Sequence, residues 1–225
     1  HKEFIKSHIL SLFSAAWAAG PSAADYLVEL GIKADRIVVG YTNVIDWDHF
    51  YTNAQNARSD RNAVAGSHHL PDRYFLTVSR FSPEKNIPGL LRAFHRYRIH
   101  NPVDAWDLVL VGGGPSRDDL RALAMELGID HVTHFVGWKS FGNLPAYYAL
   151  AGAFVLASTR ETWAVVVNEA ATCGLPLLVS NRCGSAASFI KEGVNGFTFD
   201  PEAQDALPRL MAKLAGGEVD RTAMA

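Results

Sequence analysis

Six short apolar runs, spaced along the chain from Tyr74 onward and separated by amphipathic stretches, constrain this sequence more than any other feature. They are Tyr74–Val78, Leu108–Val111, Val132–Val136, Ala153–Ala157, Pro176–Val179 and Gly196–Phe199. Each is four or five residues long, rich in Val, Leu and Phe, and bounded by Gly, Pro or Ser, as buried strands are. Apolar residues fall on both parities, so both faces of each strand need cover, which favours a parallel sheet.

The intervening segments read as helices. In 87–100, Leu90, Leu91, Phe94 and Tyr97 or Arg98 share one stripe. Ser116 stands where a cap belongs, with Asp118 and Asp119 in the first turn and Gly128 past the end. Two further helices, 164–173 and 184–192, stop at Gly174 and Gly193. Strand and helix alternating about six times predict a Rossmann-like, doubly wound α/β domain over 73–225. Its ligands belong at the carboxyl ends of the strands.

Residues 1–53 read as the closing elements of another domain. A helix is expected over 4–13, a strand over 15–19, a helix over 22–30 and a strand over 37–39, too few to close a core alone. Residues 54–72 read as a linker, because AQNARSDRNAVAGSHH at 54–69 is small and polar. The start at His1 and the end at Met224-Ala225 fit a chain cut at both ends.

Composition excludes several classes. With 48% hydrophobic residues, the chain buries enough surface to order itself, and no apolar stretch is long enough to span a bilayer. Lys and Arg total 21 against 23 Asp and Glu, so there is no electrostatic footprint for nucleic acid. Two cysteines, Cys173 and Cys183, make no disulfide framework and fit a reducing, cytoplasmic setting, with at most peripheral contact at an inner membrane face. Adjacent His68 and His69 do not converge on a metal, and no His/Cys ligand spacing occurs. Cys173 reads as packing, and Cys183 as a candidate lining residue of the cleft. The basic 92–100 stretch reads as a solvated face.

Three groups carry chemistry. Arg80 and Lys85 follow the first strand of the domain and precede a helix, which suits an anion such as a phosphate. Gly112, Gly113 and Gly114, with Pro115, form a turn through which backbone can approach a ligand, without the G-x-G-x-x-G form of a dinucleotide site. Glu161 and Glu169 enclose seven residues, so the second carboxylate stands about 8–10 Å further along. That spacing suits two contacts on one extended polar ligand better than two acids at one bond. Glu169 sits among Val165, Val167, Ala170 and Ala171, where a carboxylate must find a partner or stay beside a cleft.

The ordered set Arg80…Lys85, Gly112–Pro115, Phe135–Trp138, Glu161…Glu169, Gly174-Leu175-Pro176 and Gly193–Gly196 resembles the retaining group 1 (glycogen-synthase-like) glycosyltransferases of the GT-B fold. The likeness covers 74–200, and residues 40–46 with Phe50 resemble that family's passage between domains. It implies a C-terminal, donor-binding GT-B domain with a fragment of the N-terminal one. The implied reaction is glycosyl transfer from a nucleoside-diphosphate sugar to an acceptor hydroxyl, with retention.

Carried over by position, Arg80 and Lys85 match the pair gripping the donor diphosphate, so no metal or other cofactor is expected. Glu161 matches the glutamate at the sugar ring, with the backbone of Thr162, Trp163, Ala164 and Val165 beside sugar and phosphates. Glu169 matches the glutamate on the ribose hydroxyls. Val136, Gly137 and Trp138 match the base-binding stretch, and Gly112 and Gly113 the turn admitting the nucleotide.

Ala164 stands where the family often has Gly, and Ser188 where it often has Glu. The acceptor, a glycan, lipid or small molecule, is expected to be held by a missing N-terminal domain. The alternatives are a nucleotide-sugar-binding module without activity of its own and a GT-B nucleotide-sugar epimerase, against which the glutamate spacing argues. A phosphorylase lacks a lysine in a convincing cofactor setting.

Overall fold

The computed structural model describes residues 2–40 and 44–217. The first part comprises α1 (Lys2–Leu10), β1 (Ala16–Ala18), α2 (Pro21–Glu29) and β2 (Ile37–Val39). The strands β1 and β2 pair in parallel, Ala16 opposite Ile37 and Ala18 opposite Val39. Residues 41–43 of the expected interdomain segment, and the chain end at 218–225, lie outside the described residues.

The second part holds six strands: β3 (Tyr74–Val78), β4 (Asp107–Val111), β5 (Thr133–Gly137), β6 (Ala153–Leu156), β7 (Leu177–Ser180) and β8 (Gly196–Phe199). All pair in parallel in the order β5-β4-β3-β6-β7-β8. This is the doubly wound sheet the six runs predict. Strand order reverses between β3 and β6, and ligands of open α/β sheets bind at the carboxyl ends flanking such a switch.

Alternation along each strand sorts the core into two layers. Tyr74, Leu76 and Val78 of β3, Val109 and Val111 of β4, and Phe154 and Leu156 of β6 face one side. Phe75, Leu108, Leu110, Ala153 and Val155 face the other. The second layer is covered by α5 (Ile87–His100), α6 (Arg117–Glu126) and α10 (Ala206–Ala215), through Leu90, Leu91, Phe94, Leu120 and Met211. Burying each such side chain stabilises by about 1.5–3 kcal/mol. Tyr97, not Arg98, completes the α5 stripe, at 1% exposure.

The first layer is where the sequence reading needs correction. Residues 54–69 are not a flexible linker: α3 (Trp47–Ser59) and α4 (Arg61–His68) occupy most of them. Asp46 caps α3 by accepting from the His49 amide at 3.0 Å. Phe50, Ala54 and Ala57 bury one face in the same core as Tyr147 and Tyr148 of α7 (Leu144–Leu150). Small residues permit that close helix packing, and the polar remainder faces solvent. Packing against α7 thus makes a helix of a segment whose composition alone reads as a linker.

Two smaller differences concern helix ends. The Ser116 hydroxyl makes no capping bond to α6. The helix expected over 184–192 shortens to α9 (Ala186–Phe189). Beyond it Lys191 and Asn195 form a turn, the Lys191 amide donating to Asn195 Oδ1 at 2.7 Å. The helix expected over 164–173 is α8 (Val165–Thr172).

Candidate functional site

Five loops leave the carboxyl ends of β3 to β7, and backbone hydrogen bonds stitch them together. The Phe81 amide donates to the Gly113 carbonyl at 2.9 Å, and the Gly112 amide to Gly137 at 2.9 Å. The Thr159 amide donates to Glu84 at 2.9 Å. Glu161 is bound on both sides by the loop after β7: its amide donates to Arg182 at 3.1 Å and its carbonyl accepts from Gly184 at 3.0 Å. The Ser185 amide reaches the Trp163 carbonyl at 3.1 Å.

In the β4 loop, close approach dictates glycine at Gly112 and Gly114. Gly112 has φ +132°, and a Cβ there would fall well inside the van der Waals radius of the Ser79 carbonyl oxygen. A Cβ at Gly114 would lie 2.5 Å from the Phe81 oxygen. Gly113, by contrast, has nothing within 4 Å of such an atom. The turn is therefore packed against the β3 loop at its first and third glycines and open at its second.

Lys85 and Glu161 meet across this belt in a direct ion pair, their side chains only 19% and 16% exposed. The β3 loop makes a short turn, Pro83–Lys85, that ends at Asn86 in the left-handed region (φ 50°). The Asn86 side chain then accepts from the Gly89 amide at 3.2 Å and opens α5. Arg80 stands exposed on the same loop, two residues past the end of β3. The Ser82 hydroxyl, foremost, and the nearby Lys85 and Arg80 charges hold the Glu84 carboxyl below the usual carboxylate range.

Thr162, Trp163, Ala164 and Val165 lead into α8. Trp163 is buried, its indole N–H donating to Asn168 Oδ1 at 3.1 Å and its ring resting on the backbone of Gly20, at the turn between β1 and α2. A Cβ on Gly20 would stand 2.5 Å from that ring. Ala164 takes φ 74°, a left-handed conformation that costs an L-residue about 1–2 kcal/mol. Ala164→Gly should raise stability by about 0.5 kcal/mol, part of the relief being offset by the freer unfolded glycine. Differential scanning calorimetry should show the melting temperature rising by about 1–2 °C.

Glu169 lies further along α8, where its described partner is the Tyr148 hydroxyl on α7, donating to Oε2 at 2.6 Å. Burial pushes the Glu169 carboxyl above its ordinary value, and the Tyr148 bond opposes that shift. For a carboxyl whose folded value is raised, the favourable contribution is present below the unfolded value and lost as pH rises through the folded one. Glu169→Gln should therefore remove this pH-dependent loss. Near neutral pH its melting temperature should exceed the wild type's, and the difference should shrink as the pH falls. Melting curves across a pH series check it.

Val136 and Gly137 end β5, with Gly137 at φ 76°, and Trp138 beyond them is 77% exposed. The structure thus brings Lys85 and Glu161 into contact and places Arg80, Gly112–Gly114, Gly137 and Thr162–Val165 on the connected loops. Glu169 makes its bond to α7 rather than to the Lys85–Glu161 pair. Cys183 is buried beneath the Glu161 loop, its thiol pushed up to about 12, foremost by burial, so it does not line an open cleft. The Ser188 hydroxyl is buried without a hydrogen-bond partner among the described residues, so nothing there replaces a carboxylate. The sequence reading missed Tyr148. Its only signal was the demand of Glu169 for a partner.

No helix among the described residues is long and apolar enough to cross a membrane. The sequence profile of the family described as Glycosyl transferases group 1 matches residues 60–225. The chain is 30% identical, over 94% of its length, to a GDP-mannose-dependent alpha-(1-6)-phosphatidylinositol monomannoside mannosyltransferase of Mycobacterium tuberculosis, covering 51% of that protein. It is 30% identical, over 73% of its length, to a D-inositol 3-phosphate glycosyltransferase of Salinispora arenicola, covering 39% of it. The chain spans about half the length of the first of these curated relatives.

Among solved structures, the apo lipopolysaccharide outer core galactosyltransferase WaaB superposes with a TM-score of 0.74 at 21% identity, over 94% of this chain and 56% of that one. Anabaena HepE in complex with UDP gives 0.74 at 22%, with the same coverage. These likenesses show the GT-B fold, in agreement with the six-stranded parallel sheet and its switch point. On the profile match and the mannosyltransferase likeness together, this chain belongs to the group 1 glycosyltransferases.

Proposed function

We propose that this chain is the donor-binding part of a retaining glycosyltransferase that uses a nucleoside-diphosphate sugar. The observation that carries the reading is the ion pair of Lys85 with Glu161 at the switch point of the sheet, with Arg80 exposed on the same loop as Lys85. A cation already held by a carboxylate is preorganised for an anionic leaving group, and preorganised charge stabilises a transition state without reorganisation at the moment of reaction. Lys85 and Arg80 supply that charge, so the reading needs no metal.

In this reading the diphosphate lies against Lys85 and Arg80, over the open position of Gly113. Glu161 and the loop Thr162–Val165 hold the sugar, Glu169 takes the ribose hydroxyls, and Val136, Gly137 and Trp138 flank the base. The acceptor oxygen bonds to the anomeric carbon on the face that the diphosphate leaves. The electron pair of the breaking bond passes to the diphosphate oxygen, which also receives the acceptor's proton. The acceptor itself belongs to the part of the relatives' length that this chain does not span.

GDP-mannose in the name of one relative and UDP in the Anabaena structure set the choice of ligands. Calorimetric titration with GDP and UDP, beside turnover with their sugars, tests the proposal. Micromolar to millimolar binding of either nucleotide is expected, weakened by Glu169→Gln about tenfold or more through loss of a charged hydrogen-bond acceptor. Binding without turnover favours the second reading, a nucleotide-sugar-binding module. Absence of binding by both nucleotides overturns the proposal.

A further inference from the structure

Tyr148 is buried to the last ångström, at 0% exposure, and its ring has no room to turn. Phe50 of α3 packs edge-on against it at 6.0 Å and Phe154 of β6 lies tilted beside it at 6.0 Å. A phenol fixed in this way points its O–H along one line, and that line ends on Glu169 Oε2. A carboxylate has two acceptor oxygens. With Oε2 occupied by Tyr148, Oε1 remains for a ligand, and the side chain loses the rotation that would otherwise accompany binding.

We propose that Tyr148 is a positioning residue for the nucleotide: its hydroxyl fixes the Glu169 carboxylate so that the second oxygen meets the ribose. The inference rests on the donor-binding reading of Glu169. The titratable and charged groups around this carboxylate are few. Tyr148 comes from α7, and Cys173, at the end of α8, lies one turn on from Glu169. Arg58 of α3 turns its guanidinium to the carbonyls of Ala149 and Cys173. The Tyr148 bond favours the charged form of Glu169, and burial disfavours it. Losing the hydroxyl therefore shifts the Glu169 titration further upward and frees the side chain to rotate, so that Oε1 is no longer held toward the ribose.

Tyr148→Phe keeps the ring and its packing while removing the bond. Titrated with GDP, UDP and inorganic pyrophosphate across mildly acidic to mildly alkaline pH, it should bind the nucleotides about three- to tenfold more weakly, the worth of one hydrogen bond. The pH at which nucleotide binding falls off should move upward, and pyrophosphate, which has no ribose, should bind as in the wild type. Glu169→Gln measured in parallel separates the two readings. If it weakens nucleotide binding while Tyr148→Phe does not, the positioning role is overturned and the donor-binding role of Glu169 stands. If neither variant changes binding, the donor-binding reading falls. Equal loss of pyrophosphate and nucleotide in Tyr148→Phe, or loss there without loss in Glu169→Gln, shows that Tyr148 does not act through Glu169, and overturns the proposal.

Discussion

Replacing Lys85 with alanine should weaken nucleoside-diphosphate binding by about 10–100-fold, since a hydrogen bond to a charged group is worth about 1.5–3 kcal/mol. The same change leaves Glu161 without its cation at 16% exposure. Breaking a mostly buried pair from one side costs about 3–5 kcal/mol, so the melting temperature should fall as well. Glu161→Gln distinguishes the two effects. It keeps the shape, removes the charge that competes with phosphate for Lys85, and should bind the nucleoside diphosphate as tightly as the wild type or tighter. Turnover should nevertheless collapse, because the carboxylate proposed at the sugar ring is gone. Calorimetric dissociation constants set beside initial rates show both. Weaker diphosphate binding in Glu161→Gln would mean that the carboxylate positions Lys85 more than it competes for it, whereas unchanged binding in Lys85→Ala would overturn the assignment of Lys85 to the leaving group.

Gly112→Ala should be the most damaging single methyl in the domain. Two penalties coincide there: φ +132° is closed to L-residues, and the new carbon would overlap the Ser79 carbonyl oxygen. That oxygen is backbone and cannot rotate aside as a flexible side chain could. The β3 and β4 loops would have to part, breaking the bond from the Phe81 amide to Gly113. A loss of about 3 kcal/mol or more is expected, about 6–12 °C in melting temperature. Gly113→Ala is the control, since a Cβ there meets nothing within 4 Å. It should melt like the wild type while binding nucleotide less well, if the donor passes over that position. Thermal melts of the two variants decide the matter: equal damage at both positions would contradict the geometry.

The six strands were legible because parallel strands covered on both faces leave continuous apolar runs, a signal independent of neighbours. Helix α5 was legible for a similar reason, its stripe running from Leu90 to Tyr97. Helices α3 and α4 were not, because only Phe50, Ala54 and Ala57 of α3 are buried, and alanines in a polar sequence look alike in a linker and in a helix seam. Their helicity is decided by α7, nearly a hundred residues away. At the site, residue type and loop position pointed to Lys85 and Glu161. The need of Glu169 for a partner was legible as well, but the partner's identity was not: Tyr148 lies in a run of apolar residues that reads as core throughout. A hydroxyl inside such a run is seen only once the fold brings its neighbour to it.

The contact between Gly20 and Trp163 has a mechanical meaning. The indole sits between the turn after β1 and the loop that carries Glu161, and Gly20 has no side chain to hold the two surfaces apart. The ring thus works as a shim: its thickness sets the gap between the two-stranded and six-stranded parts. Any rocking of one part on the other must slide across a residue two positions from Glu161, so the seam between the two parts reaches the loop that carries the proposed sugar-binding carboxylate.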